Sequence, residues 1–244
     1  MPRQDLDAIA SEMGLRAYAR VNILGKRLHL LGEGHRERYS PEPAKVLARA
    51  RTSGMAVFLE QRIDGYVTKQ NIGLREAMLE CATPRRGRCV RVDPRQGYLP
   101  GRKGWNPSEL PEYEAYRAEC ATFIDATRAV VEQRVDPWIR EVMWRAFKPS
   151  PLGRSWNPPD HPLQRTRYRT GHYASALVNT YAASEIIRSP EREMVFYGGT
   201  AHAVKIARLL EKAGCVIEVI RLRADVDEAR LGIPALRPGA VDPT

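Results

Sequence analysis

The chain has 244 residues, 43% of them hydrophobic, which is enough for one α/β domain with a substantial core. Apolar and charged residues are spread along the whole sequence, which excludes an intrinsically disordered protein, and no apolar run approaches the roughly 18 residues of a membrane span. The net charge of +10 is compatible with a polyanionic partner and equally with the arginine-rich composition that a high-GC coding sequence produces.

The first third of the chain predicts a helix, a hairpin and a strand–helix–strand unit. An amphipathic helix is expected over residues 5–15, followed by a hairpin over 18–32 with its turn at a glycine. A serine–proline pair begins a helix over 40–51, and the apolar run 55–59 is typical of a strand covered on both faces. Strand, helix and strand in this order predict a right-handed parallel crossover.

The middle of the chain is predicted to be mainly helical, with two irregular segments rich in proline and arginine. The second of these segments also contains tryptophan and has no periodicity, and a long loop in a compact domain is more often functional than idle. In chain order we expect a helix over 72–82, a strand over 89–93, a loop over 94–107, helices over 109–135 and 136–147, and a loop over 148–169.

The last third contains a second strand–helix–strand unit. After a helix over 171–188, we expect a strand over 194–197, a glycine turn over 198–202, a helix over 203–213 and a strand over 215–222. The fold class predicted is therefore α/β: a single domain over 1–226 with a mainly parallel central sheet, flanking helices, an N-terminal hairpin and a helical insertion at about 106–170. Residues 227–244 are predicted to be an extended tail.

The four cysteines are irregularly spaced, without a Cys-x-x-Cys pair. This spacing favours neither a zinc knuckle nor a redox motif, so we expect reduced and mostly buried thiols. The amino-terminal residues also lack the apolar core of a signal peptide, which makes the cytoplasm the expected location.

Five residues able to do chemistry follow predicted strands. Glu33 and His35 come after the first core strand, Glu60 and Asp93 end the next two, and His202 follows the glycine turn. Because ligands of open parallel sheets bind beyond the carboxyl ends of the strands, these side chains are expected to share a crevice. Imidazoles and carboxylates placed together can hold a divalent metal that acidifies water, or can act as an acid–base pair without metal.

These motifs together carry a family resemblance. A hairpin leading into Leu-Gly-Glu-Gly-His at 31–35, a strand ending in Glu60, and a strand followed by Gly-Gly-Thr-Ala-His at 198–202 resemble the superfamily of erythromycin esterases, TraB/PrgY proteins, Tiki peptidases and ChaN haem-binding proteins. The resemblance covers roughly 18–93 and 171–222. Tiki and TraB proteins are usually tied to membranes, which this chain shows no means of entering, and the basic loops are not part of the pattern.

The resemblance implies a hydrolase that cleaves an ester or amide bond with activated water. It makes Glu33, His35, Glu60 and His202 the catalytic set, with His35 or Glu60 activating the water and His202 completing the site. We assign Glu60 as general base and His35 as base or ligand. If a divalent metal (Zn, Mn or Co) takes part, its expected ligands are Glu33, His35 and His202. The substrate is expected to be a small molecule or a peptide, and the basic residues would suit one with an anionic group. Its expected contacts are Arg36, Asp93, Arg95, Arg167, His172 and Tyr197. For Asp93 and Arg95 a structural salt bridge between the two is the favoured role.

A rival hypothesis comes from the basic segments. The arginines at 85–95, with Tyr98 and Trp105 nearby, have the cation and aromatic mixture that nucleic-acid binders use. A non-catalytic nucleic-acid-binding or virion-type structural protein on the same fold is therefore kept as the alternative. No recognisable nucleic-acid-binding module supports it.

Overall fold

The computed structural model describes residues 6–34, 37–39, 42–63, 72–96, 110–146 and 162–226. They form an α/β structure in which helices flank a six-stranded sheet. The strands are β1 (Ala17–Ile23), β2 (Lys26–Glu33), β3 (Ala56–Arg62), β4 (Cys89–Asp93), β5 (Glu193–Gly199) and β6 (Val216–Leu222). The helices are α1 (Leu6–Glu12), α2 (Pro43–Thr52), α3 (Ile72–Ala82), α4 (Leu110–Arg134), α5 (Pro137–Ala146), α6 (Pro162–Arg188) and α7 (Thr200–Lys212).

The sheet is mixed and mostly parallel, with the strand order β4-β3-β5-β2-β1-β6. Strands β4, β3, β5 and β2 are parallel neighbours, whereas β1 runs antiparallel to both β2 and β6. The carboxyl ends of β2, β3, β4 and β5 consequently meet along one edge of the sheet. In parallel sheets this edge is the usual place for a ligand site.

Side-chain alternation along the strands builds two cores, one on each face of the sheet. Leu31, Leu59 and Tyr197 pack with α1, α2 and α3, while Phe58 and Phe196 pack with α4, α5, α6 and α7. Both phenylalanines are fully buried, and each such burial contributes about 2–3 kcal/mol. A sheet covered on both faces needs apolar residues at successive positions, which explains the continuous apolar runs of the central strands.

Two predicted boundaries are wrong in ways that bear on the site. The loop predicted over 148–169 ends early, because α6 already begins at Pro162. Proline suits the first turn of a helix, since the N–H group that it lacks would have no partner within the helix there. Residues 148–161 lie outside the described part of the chain. Helix α7 begins at Thr200, directly after Gly199, so His202 belongs to the first turn of the helix and not to the turn before it.

The prediction of reduced thiols is wrong for two of the four cysteines. Cys81 at the end of α3 and Cys89 at the start of β4 form a disulfide across eight residues. The short connection turns α3 directly into β4 and brings the two Cα atoms to 5.7 Å, a separation that a disulfide spans readily. Cys120 is free and buried, and Cys215 is free and half-buried.

None of the described helices combines the length and apolar composition that crossing a bilayer requires. The predicted tail over 227–244 lies outside the described residues. Residues just before it are anchored, since the Arg223 side chain donates to Glu37 at 2.9 Å and to Asp225 at 2.7 Å. The chain therefore stays attached to the domain at least as far as Asp225.

Replacing Cys81 and Cys89 together by serine is expected to lower the free energy of unfolding by about 2 kcal/mol, because the short closed loop no longer restricts the unfolded chain. Urea unfolding with and without reductant measures the effect, and reductant should change the wild type but not the double variant. Cys215→Ser, which removes a free thiol, should keep the wild-type response. Alkylation of all four cysteines in unreduced, denatured protein would contradict the disulfide.

Candidate active site

Glu60 is a buried carboxylate near the carboxyl end of β3, on the face covered by α4 to α7. The Gly199 N–H at the start of α7 donates to Glu60 Oε2 at 2.6 Å. A Cβ atom at Gly198 would lie 2.6 Å from the Glu60 Cβ, which is closer than real Cβ contacts allow. Glycine at position 198 is therefore what lets β5 pass the glutamate and bring the Gly199 N–H to it.

His202, in the first turn of α7, is held between two side chains. Its Nε2 lies 3.3 Å from Glu60 Oε1, and its Nδ1 lies 2.6 Å from Oδ1 of Asn179, a fully buried residue of α6. Burial is the largest influence on the ring and lowers the pKa of His202, although the Glu60 charge acts in the opposite direction. The neutral imidazole is therefore the form to consider at neutral pH.

The two contacts select one tautomer of a neutral His202. An ionised Glu60 only accepts hydrogen bonds, so Nε2 must carry the proton and Nδ1 must accept. Turning the Asn179 amide presents Nδ2 to that acceptor, and Nδ2 otherwise has no hydrogen-bond partner within the described residues. Asn179 thus donates to Nδ1, and His202 donates through Nε2 to Glu60.

Arg95 brings a positive charge to the same carboxylate. Its Nε donates to both carboxylate oxygens of buried Asp93, at 2.8 and 2.9 Å, and its Nη2 lies 3.7 Å from Glu60 Oε1. The Asp93–Arg95 salt bridge predicted from the sequence is therefore present. Burial is the largest single influence and acts to lower the pKa of Arg95, but the hydrogen bonds to Asp93 and the charges of Asp93 and Glu60 together outweigh it and raise the pKa. With its side chain 30% exposed, Arg95 is the most accessible member of the cluster.

Glu33 lies on the other face of the sheet. The fully buried Tyr197 hydroxyl donates to Glu33 Oε2, and the Thr200 hydroxyl donates to the Glu33 carbonyl oxygen at 2.9 Å. A Cβ atom at Gly73 in α3 would collide with the same carboxylate. Glu33 therefore belongs to the α3 face, and burial raises the pKa of Tyr197, with the Glu33 charge adding to the effect.

Of the expected metal ligands, the two that the structure describes, Glu33 and His202, do not face one ion. His35 and the neighbouring Arg36 lie outside the described residues. Glu33 is engaged on the α3 face, and both ring nitrogens of His202 already have protein partners. Within the described ranges, no group of three or more His, Cys, Asp and Glu side chains could hold a metal ion.

The remaining predicted contacts are scattered. Tyr197 is fully buried, with its hydroxyl engaged by Glu33, and the Arg167 side chain lies outside the described residues. His172 is exposed on α6. Sequence reasoning missed Asn179, although a polar amide among the apolar residues of a buried helix is a usable signal. Asn179 lies seven residues, or two helical turns, after His172, and the two residues are therefore on the same side of α6.

Three of the five arginines at 85–95 are paired with acidic residues within the structure. Arg85 pairs with Glu80, Arg88 pairs with Glu191 at 2.7 Å, and Arg95 forms its salt bridge with Asp93. Tyr98 and Trp105 lie outside the described residues. A nucleic-acid surface needs cations that are free to meet phosphates, so these pairs reduce the support for a binding role.

Comparison with family models, with curated proteins and with solved structures finds no match to this chain.

Proposed function

We propose that this chain is a hydrolase of the erythromycin esterase/Tiki-like type, which cleaves an ester or amide bond with water activated by Glu60. The observation that supports it is the 3.3 Å contact between Glu60 Oε1 and His202 Nε2, which joins residues 142 positions apart at the ligand-binding edge of the sheet. Packing alone does not require a glutamate, a histidine and an asparagine in a line, since buried polar groups are costly unless they are hydrogen-bonded.

Glu60 is the proton acceptor in this proposal. Its carboxylate takes a proton from a water molecule, and the resulting hydroxide attacks the carbonyl carbon of the substrate. When the tetrahedral intermediate collapses, the bond to the alcohol or amine breaks, and the proton passes from Glu60 to that leaving group. Glu60 is thereby restored to its starting state, and no external oxidant or reductant is needed.

His202 and Asn179 are positioning residues. Because both nitrogens of the ring are engaged, His202 cannot itself take a proton from water while these contacts persist. It donates to Glu60 Oε1 and fixes the rotamer of the carboxylate, and Asn179 fixes the ring. The Gly199 N–H holds the other oxygen, so the direction in which Glu60 faces is set from two sides.

Arg95 is the group suited to the oxyanion. The guanidinium is charged, partly exposed and held by Asp93 beside Glu60. Negative charge that develops on a carbonyl oxygen near Glu60 would be stabilised by a cation that is already in place, and such preorganised donors typically contribute about 2.7–4 kcal/mol. The salt bridge to Asp93 supplies that preorganisation.

The resemblance to the superfamily enters the proposal through its motifs. On this view the N-terminal hairpin and the parallel strands carry the motifs, and the helices over about 106–170 are an insertion. Glu33 then supports the start of α7 through its carbonyl oxygen, which accepts from Thr200, and does not act as a base.

Metal analysis of the purified protein and of the His35→Ala and His202→Ala variants tests for a divalent cation: loss of bound metal in both, with folding intact, assigns these residues as ligands.

Replacing Glu60 by glutamine is expected to lower kcat/KM by about 10²–10⁴-fold, because glutamine keeps the shape and the acceptor for Gly199 but cannot take a proton. The measurement uses a panel of p-nitrophenyl esters and acyl peptide amides. Arg208→Gln, which removes an exposed ion pair with Glu211 on the same helix, is the matched control and should retain wild-type rates.

Equal rates in the Glu60→Gln variant and the control would rule out Glu60 as the base. The nucleic-acid-binding alternative is favoured by two results together. No probe is hydrolysed, and duplex DNA or RNA retains the wild type, Glu60→Gln and His202→Ala equally, in a manner that depends on salt concentration.

Replacing Gly198 by alanine is expected to reduce both activity and stability, because the added methyl group overlaps the Glu60 side chain. Overpacking of this kind costs about 1–3 kcal/mol, measured by urea unfolding. Gly87→Ala is a matched control, since its methyl group collides with the Met55 carbonyl at the opposite end of the sheet. Both variants should lose stability, but only Gly198→Ala should lose activity per folded molecule; equal activity in the two would argue against the site.

A further inference from the structure

A groove with a volume of about 660 Å³ lies between the end of α4, the start of α5 and the middle of α6. Val131, Pro137 and Leu177 give it apolar surface, and Val131 and Leu177 are buried members of the core on this face of the sheet. Small-molecule sites usually have volumes of about 300–1,000 Å³ and mainly apolar walls. The groove therefore has the size and the lining of a site for an organic molecule.

Two guanidinium groups line the same groove, that of Arg128 from α4 and that of Arg140 from α5. In both side chains Nε is buried and has no hydrogen-bond partner among the described residues. A buried donor without an acceptor is unfavourable, because it has lost its hydrogen bond to water and gained none in the protein. The two arginines therefore bring to the groove a donor capacity that the described protein groups do not use.

The terminal nitrogens of Arg128, in contrast, have partners that hold the guanidinium in place. Its Nη2 donates to the Tyr173 hydroxyl at 3.0 Å, its Nη1 lies 3.6 Å from Asp125 Oδ1, and its Cζ lies 5.5 Å from the centre of the Tyr173 ring. The next arginine of α4, Arg134, donates to the Tyr181 hydroxyl at 3.2 Å and does not line the groove. The unused donors thus belong to the two arginines that do line it.

The acidic residues of the groove restrict the kind of anion that fits. Glu132 and Glu141 also line it, and both are exposed to solvent. Two carboxylates beside two guanidinium groups leave little net charge, which disfavours a polyanion such as a nucleotide. A single carboxylate can still accept from the Nε edge of a guanidinium, where the planar fork of donors matches its two oxygens. An apolar body attached to it would cover Val131 and Leu177.

We infer that this groove binds a small molecule that has an apolar body and one carboxylate group, which Arg140 and Arg128 hold. The site is separate from the proposed active site. Leu177 and Thr180 of α6 line the groove, whereas Asn179 contacts His202, and successive residues of a helix are turned by about 100° from one another. The inference therefore does not depend on the proposed function.

Fluorescence titration with pyrenebutyrate and with its neutral analogue pyrenebutanol tests the site. The wild type should bind the acid saturably and about tenfold or more tightly than the alcohol, the usual contribution of a charge-assisted hydrogen bond. Arg140→Met should abolish this preference for the acid. Arg117→Met breaks an exposed ion pair with Glu114 on α4, so it is the matched control and should bind both probes as the wild type does.

Two further variants test the location of the bound probe. Thr180→Phe places a larger side chain in the groove and should weaken the binding of both probes, with folding checked by circular dichroism. Glu132→Gln removes a negative charge from the groove and should tighten the binding of the acid alone. Opposite effects of these two changes on the acid would not arise from binding elsewhere on the surface.

Equal binding of the acid and the alcohol by the wild type, or a preference for the acid that persists in Arg140→Met, would overturn the inference. A preference that is lost in Arg95→Met but kept in Arg140→Met would also overturn it, because the carboxylate would then lie beside Glu60. If Arg140→Met does not fold, Glu132→Gln decides: tighter binding of the acid supports the groove, and unchanged binding refutes it. Hydrolysis that depends on Glu60 can be observed in either case, so this test and that of the proposed function fail separately.

Discussion

The burial of the Glu60 carboxylate is the constraint that the rest of the site depends on. An ionised carboxylate taken out of water costs several kcal/mol unless donors surround it. Those donors come from three different parts of the chain: the N–H of Gly199 at the end of β5, the imidazole of His202 in α7, and the guanidinium of Arg95 just after β4. The amino-terminal end of α7 also carries a partial positive charge that favours the anion. The Glu60 side chain therefore links β3 to β5, to α7 and to the residues just after β4.

Strand alternation divides the acidic residues at this edge between two faces. Glu60 follows Phe58 on the α4–α7 face, whereas Glu33 follows Leu31 on the α3 face and is bound by Tyr197. The proximity of the two strand ends, taken alone, predicts that the two glutamates lie in one site. Side chains two residues apart on one strand share a face, however, so each carboxylate is directed to the face of the apolar residue two positions before it. The catalytic proposal accordingly uses one glutamate, and the other supports the turn into α7.

Local pattern was sufficient to predict most of the fold. Apolar runs and glycine positions placed α3 and β4 at their observed bounds and brought Glu60 and His202 to one edge. Two features depended on tertiary packing and could not be predicted: Asn179 as partner of the ring, and the Cys81–Cys89 disulfide, whose spacing matches no motif. The start of α6 at Pro162, by contrast, follows a local rule for proline in the first turn of a helix. Since structural disulfides are rare in reducing compartments, this disulfide weighs against the expected cytoplasmic location.

Net charge did not locate a partner surface, because what matters is which cations lack a local counter-charge. The arginines at 85–95 gave the most conspicuous basic segment of the sequence, yet Arg85 and Arg88 meet glutamates and Arg95 meets an aspartate. Each pair confines its field to a few ångströms, so a paired cation attracts a polyanion less than an unpaired one does. In the described part of the chain, three of the five arginines of that segment are held by acidic residues, and net charge counts them as if they were free to meet a phosphate.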